Sequence, residues 1–456
     1  MNREEMGLIT LPWLPQRQQT YCITQTENAM KTLIQLVLLV SSTTLILTGC
    51  TSSEDDLEST TVGDLTITPL TLGNLEFVQL QGSITSDFTI TNDQLWLING
   101  GLFVEEGAVL TIEPGATVYA TFNDLTSFIS VQRGARIVAD GSAAAPIKFT
   151  TIRELTSIPQ PGDWGGIIIN GYAPVNLTNG EGEGEGGTGI YGGDDPTDNS
   201  GILRYVIVSY AGKQLGPDNE LNGFSFNAVG SGTTVEYIEA IYGLDDGIEL
   251  FGGSVNIKYA LSLGNADDSF DWTFGWSGFG QFWVVQQDPF GSDKAIEADN
   301  NEDDFLASPF SQPIVSNLTL VGADDGDSKN SGVNLRHGTK GAIHNAIITN
   351  FPRDGVIVDE TAEDFVVTNE LMVSHSRVFD NNMSGAEGVD FRNAISFESN
   401  ESNFIYSEPV LDGFTGVIAG EGIDPIQFSS WFTSVDYIGA VDPTEDWTAG
   451  WIEILR

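Results

Sequence analysis

The chain has 456 residues, a formal net charge of −46, 40% hydrophobic and 10% aromatic residues. That apolar content places the acidity on a folded protein rather than a disordered one. It excludes nucleic acid as a partner, since phosphate binding needs Lys and Arg, and it favours divalent cations.

Residues 1–29 have no pattern of their own, and Met30-Lys31 then opens an apolar run from Leu33 to Leu47. The run is too short and wrongly flanked for a good transmembrane helix. With its ending, Leu47-Thr48-Gly49-Cys50, it resembles a bacterial lipoprotein signal peptide and lipobox. The resemblance implies that translation starts at Met30, that 30–49 is removed, and that Cys50 carries the lipid. Cys22 would then fall outside the mature chain, leaving no disulfide. Thr51 and the acidic Glu54-Asp55-Asp56 resemble the signals of outer-membrane and surface-exposed lipoproteins, so the expected location is the outer membrane, lipid-anchored, facing the periplasm or the outside. Residues 50–90, rich in Ser, Thr, Glu and Asp at their start, read as a tether.

Regular alternation starts near Leu95-Trp-Leu-Ile and reaches its clearest form between residues 233 and 275. There Tyr237 matches Tyr259, Asp245 matches Asp267, Glu249 matches Asp271 and Gly253 matches Gly275, each 22 positions further on. A fixed period of this size marks a solenoid. Within each unit apolar residues alternate, as in a strand with one buried face, and the short polar pieces between leave no room for an amphipathic helix. A looser signature, Gly followed by apolar-x-apolar, recurs at Gly223, Gly247, Gly332, Gly355 and Gly388, with Ser269 as a variant. Its middle position reads Ser225, Glu249, Asp271, Asn334, Ile357 and Asp390, and is predicted to face outward. The fold class is therefore all-β, a parallel β-helix over residues 91–425, with a capping segment over 426–456. Two acidic insertions, Asn179–Ser200 and Asp288–Asp304, read as loops on a solenoid side that is often the binding side.

The stretches Val104-Glu-Glu-Gly-Ala-Val-Leu-Thr-Ile-Glu-Pro-Gly115, Ile129-Ser-Val-Gln-Arg-Gly134 and Asp163-Trp-Gly-Gly-Ile-Ile-Ile-Asn-Gly171 resemble the opening coils of right-handed β-helix envelope lipoproteins of the pectate-lyase-like superfamily. The ending Asp446-Trp-Thr-Ala-Gly-Trp451 is similar to theirs as well. The resemblance covers roughly residues 90 to 456 and implies a right-handed helix. It implies little about activity.

Stacked coils lie about 4.8 Å apart, so Asp245 and Asp246 should lie beneath Asp267 and Asp268, and Glu249 beneath Asp271. Carboxylates that close need solvation, a raised pKa or a cation, and Ca²⁺ accepts 6–8 oxygen ligands. These six residues are the candidate metal ligands; the plainer alternative is that Asp turns each corner and caps strand ends. Asp324-Asp-Gly-Asp327 is a weaker case. Trp276 and Phe279 fall in a Gly-rich loop, where a ring either stacks on a sugar or packs locally. Arg336, His337 and Lys340 form the only compact basic group, to be read either as a base site or as charge balance. The resemblance to polygalacturonase-like enzymes extends to the paired aspartates, while their Gly-His-Gly and Arg-x-Lys motifs are missing. An inverting hydrolase also needs carboxyls about 6.5–9.5 Å apart, wider than a direct stack. The leading expectation is a non-catalytic lipoprotein whose acidic face binds Ca²⁺ and a glycan, surface polymer or envelope protein. The alternatives are a polysaccharide lyase or glycoside hydrolase, and a structural or adhesive spacer.

Overall fold

The computed structural model describes residues 59–455, apart from 218, 290, 324–329, 360, 382–390 and 393–409. Cys50 with its lipobox, Asp324–Asp327 and Asp390 therefore lie outside the described residues. Short strands and long bent strands alternate and wind a right-handed parallel β-helix with three sheets. Sheet I stacks the short strands Phe128–Val131, Ile167–Asn170, Phe224–Asn227, Ile248–Phe251, Phe270–Thr273, Lys294–Ala298, Ser331–Leu335 and Val356–Val358 in parallel register. The long strands, such as Thr234–Ile241, Asn256–Leu263 and Phe279–Gln286, bend midway and serve sheets II and III.

The Gly-apolar-x-apolar signature behaves as expected. Phe224 and Phe226, Ile248 and Leu250, Phe270 and Trp272, Ile296 and Ala298, and Val333 and Leu335 all point into the buried core. Glycine precedes Phe224, Ile248 and Val333 because the coils leave little room for a side chain there. A Cβ on Gly223 would lie 2.5 Å from the Gly247 carbonyl oxygen, and one on Gly332 would lie 2.2 Å from that of Gly355.

The bend in each long strand is a single residue in the left-handed region: Tyr205, Tyr237, Tyr259, Phe282, Asn317 and Asn345, with φ between 51° and 64°. Strand pairing skips this residue, so that Arg204 pairs with Glu236 and Val206 with Ile238. Left-handed backbone costs an ordinary L-residue about 1–2 kcal/mol. Stacking offsets this cost. Tyr205 and Tyr237 lie 4.3 Å apart, Tyr237 and Tyr259 4.3 Å, and Tyr259 and Phe282 5.0 Å, with nearly parallel rings. Where the ladder turns to asparagine, the amides instead donate to carbonyls of the C-terminal segment, Asn317 to Tyr437 and Asn345 to Ile423, both at 2.8 Å.

Both ends differ from expectation. The tether expected over 50–90 is strand from Thr60 onward: Thr60–Val62 and Leu65–Leu72 pair antiparallel and lie on Leu75–Ile84, which joins the first coil in parallel. The reason is that Leu65, Phe77, Leu80, Ile84 and Ile90 are buried, so the stretch has a core to join. The antiparallel strands cover the edge that the first coil would otherwise leave open. The C-terminal segment, expected as a cap over 426–456, runs along the flank instead. Its backbone N–H groups bond side chains of many coils: Ile423 to Asn345 at 2.9 Å, Thr433 to Gln281 at 2.8 Å and Glu453 to Glu239 at 2.9 Å. It lies there because sheet III presents Ile207, Ile241, Leu261 and Val284 outward, and Val441 and Trp451 cover them.

Candidate carboxylate site

The outward positions of sheet I carry the acids. Register places Ser225, Glu249, Asp271, Glu297 and Asn334 side by side on successive strands. At the corner before each strand a second line forms. The Asp246 carboxylate accepts the backbone N–H of Asp268 at 2.9 Å, and the Asp268 carboxylate accepts that of Lys294 at 2.5 Å. Both corner aspartates thus do tie one coil to the next, as the plainer reading required. One oxygen of each suffices for that task.

The remaining oxygens converge. Four overlapping trios each bring ligand oxygens within 4.8 Å of one another: Asp245, Asp246 and Asp267; Asp246, Glu249 and Asp271; Asp267, Asp268 and Asp293; Asp268, Asp271 and Glu297. All six acids singled out in the sequence take part. Asp293 and Glu297 join them from a stretch that reads as an insertion loop. Burial, and then neighbouring carboxylates, push Asp246, Glu249 and Asp271 well above the usual carboxylate range. Burial and then Glu297 do the same to Asp268, whose charge Lys294 partly offsets. Asp245 is pushed up to about 8 by burial, then by Asp267, Glu185 and Glu220. Glu185 rises to about 7 through burial and then Glu220.

Further groups join from the first insertion and from the corner before Phe224–Asn227, where Asn222 holds the place of Asp246. Glu185 comes from the first insertion, and Asn222, buried beside it, donates to Glu249 at 2.5 Å and to Glu185 at 3.4 Å. A cavity of about 370 Å³ at the corner is lined by Gln214, Glu220, Leu244, Asp245 and Asp267. The buried oxygens Asp271 Oδ1, Asp293 Oδ1 and Asn222 Oδ1 have no hydrogen-bond partner among the described residues. Closely spaced carboxylates with orphaned buried oxygens fit a hard, oxygen-liganded cation. The residues for Ca²⁺ would be those of the four trios.

The basic group divides. Arg336 grips Asp299 through two bonds, at 2.7 and 3.1 Å, and reaches Glu297 at 2.5 Å, which places it at the end of the acid ladder. Burial works to lower its pKa, but the bonds and charge of Asp299, with Glu297, overcome burial and hold it above the ordinary guanidinium value. His337 Nδ1 lies 3.0 Å from the same Asp299. Lys340 belongs elsewhere: it pairs with Glu370 at 2.6 Å and lies over the rings of Phe310 and Phe365. The compact trio of the sequence is therefore two separate salt-bridge systems, consistent with charge balance.

The sugar-stacking expectation is corrected for Trp276, while Phe279 shows the local packing that the sequence offered as its other reading. Trp276 is 0% exposed, its indole N–H donating to the Val255 carbonyl at 3.1 Å. The Gly-rich loop turns it inward, where it packs beside Trp272 and Trp283. Phe279 is half-buried against Trp431 and Phe432 of the C-terminal segment.

Fold and site together define a class: a parallel β-solenoid with a carboxylate-lined outer sheet. The chain belongs to the pectate-lyase-like beta helix domain family, whose model matches residues 82–452. No curated protein and no solved structure gave a significant match.

Proposed function

We propose that the protein is a non-catalytic envelope lipoprotein, anchored through Cys50 at the outer membrane, whose sheet I face binds Ca²⁺ and, through the ion, an acidic polysaccharide. The single observation that carries this reading is the convergence of eight carboxylates in four trios with orphaned buried oxygens among them. An acidic polymer would be repelled by a face of this charge, so a divalent cation between the two is the physical requirement for contact. Membership of a pectate-lyase-like family supports a polysaccharide-related role. A lyase is the second reading, because Arg336 stands beside the ladder. Its paired and strongly protonated guanidinium makes it a poor base. Incubation with polygalacturonate and with alginate in Ca²⁺ is the test. Retention of the polymer without shortening is expected, and new unsaturated or reducing chain ends made by the wild type would replace this reading with the enzyme.

A further inference from the structure

The loop after Lys294–Ala298 carries an exposed apolar pair, Phe305 at 38% and Leu306 at 69% exposure. The pair is not loosely hung. The buried Asn300 amide donates to the carbonyls of Phe305 and Ala307, each at 3.1 Å, and the Asn301 side chain accepts the N–H groups of Asp303 and Asp304 at 2.9 and 3.1 Å. The Phe305 ring lies parallel to the His337 imidazole, with centroids 5.3 Å apart and planes 5° apart. His337 is itself fixed at several points. Its Nδ1 meets Asp299 Oδ2 at 3.0 Å, its backbone N–H donates to Asp359 at 3.2 Å, and its φ of 45° lies in the left-handed region. At the next residue the two segments press together, since a Cβ on Gly338 would lie 2.1 Å from the Phe305 carbonyl oxygen.

Asp299 links this stack to the ladder, because the carboxylate that orients His337 also grips Arg336, which closes on Glu297. A rigid, exposed aromatic ring one ion pair from a polar site suits a sugar, whose C–H face packs on a ring while its oxygens reach polar partners. Holding the ring in place beforehand removes the ordering cost that a free loop would incur on binding. Around it Glu302, Asp303 and Asp304 are exposed. They would repel a uronate carboxylate, which leaves the uncharged face of the sugar as the part that can sit on Phe305.

We propose that Phe305, backed by His337, is a stacking platform for a pyranose ring of the acidic polymer held at the ladder. This rests on the cation-bridged reading above, and the test separates the two. Retention of polygalacturonate in excess Ca²⁺ is measured for the wild type, Phe305→Ala and Phe305→Trp, alongside the Ca²⁺-dependent rise in melting temperature. Phe305→Ala is expected to weaken retention about five- to ten-fold with the melting behaviour unchanged, and Phe305→Trp to preserve it. A drop with Phe305→Ala that occurs equally in EDTA keeps the platform and removes the ion. Undiminished retention in Phe305→Ala, or a wild type that Ca²⁺ stabilises but that retains no polygalacturonate, overturns the platform.

Discussion

Replacing Glu249 with Gln and Asp271 with Asn tests the carboxylate ladder most directly, because the two residues are adjacent rungs and keep their shape as amides. Their oxygens lie within 4.8 Å, where two full charges repel by about 0.9 kcal/mol in water and about 3.5 kcal/mol at an effective dielectric of 20. Without a cation the folded protein avoids this by holding protons that the unfolded chain has released. For Asp245, raised from 3.8 to about 8, and Glu185, raised from 4.5 to about 7, the folded state binds more protons than the unfolded one. Stability therefore falls as pH rises. The penalty is absent below about pH 4, grows through the interval, and is complete above about pH 8. Ca²⁺ supplies the missing positive charge. At 100 times its dissociation constant it adds about 2.7 kcal/mol. With an unfolding entropy of about 0.84 kcal/mol/K for roughly 400 residues, that is a rise of about 3 °C. Thermal unfolding in EDTA at pH 5 and pH 8, then with Ca²⁺ and with Mg²⁺ at equal ionic strength, reads each term. The wild type should melt lower at pH 8 than at pH 5 and recover with Ca²⁺. In EDTA at pH 8 the double variant should melt at or above the wild type, and its response to Ca²⁺ should shrink to what the two trios around Asp267 still supply. A wild type whose melting is flat across this pH range and unmoved by Ca²⁺ would refute the reasoning.

Arg336→Ala should cost about 3 kcal/mol in chemical denaturation, because it strips the guanidinium from two buried carboxylates and leaves Glu297 only Lys294 and Asp299 only His337, and Arg336→Lys should recover only part of it. Tyr237→Ala removes a ring stacked on both sides and should cost about 2–4 kcal/mol, less than a fully buried ring would. The same change should expose the C-terminal segment to limited proteolysis, since Trp447 and Trp451 rest on that ladder, and Tyr237→Asn, which tolerates the left-handed bend, should be milder. Cys50→Ser should release the protein from the membrane fraction, and a variant that still partitions into detergent would remove the lipid anchor from the proposal.

The repeat was legible because it is local. The spacing of Asp245 to Asp267 and of Glu249 to Asp271 fixes both the coil and the outward direction of those side chains, and the observed register places Glu249 directly beside Asp271. The next rung, Glu297, was hidden by the longer interval from Asp271, although Ile296-Glu297-Ala298 repeats the apolar-x-apolar pattern and would have revealed it. Asn222 was legible too, since it precedes Gly223 as Asp246 precedes Gly247 and Asp268 precedes Ser269, but Glu185 and Glu220 could not be found this way. They reach the site through loop paths and long-range contacts that leave no period in the sequence. Trp276 misled for the opposite reason: glycines on either side suggest an open loop, whereas here they let the chain fold the indole inward beneath Val255. The early strands were missed because Thr-rich alternation around Leu65 and Ile67 resembles a polar linker until the first coil is present for them to lie on.

The left-handed bend at Tyr205, Tyr237, Tyr259, Phe282, Asn317 and Asn345 recurs once per coil, although loops make the coils differ in length. Losing one residue from a strand would turn every later side chain of that strand to the opposite face, core to solvent and solvent to core. Losing everything from one bend to the next rejoins two surfaces that already match. Outside the loops, strand and bend can therefore be gained or lost only in whole turns, and each turn brings its own outward residue on sheet I. The number of acidic rungs is then a count that duplication or deletion of a coil changes stepwise, while the geometry between neighbouring rungs stays as it was.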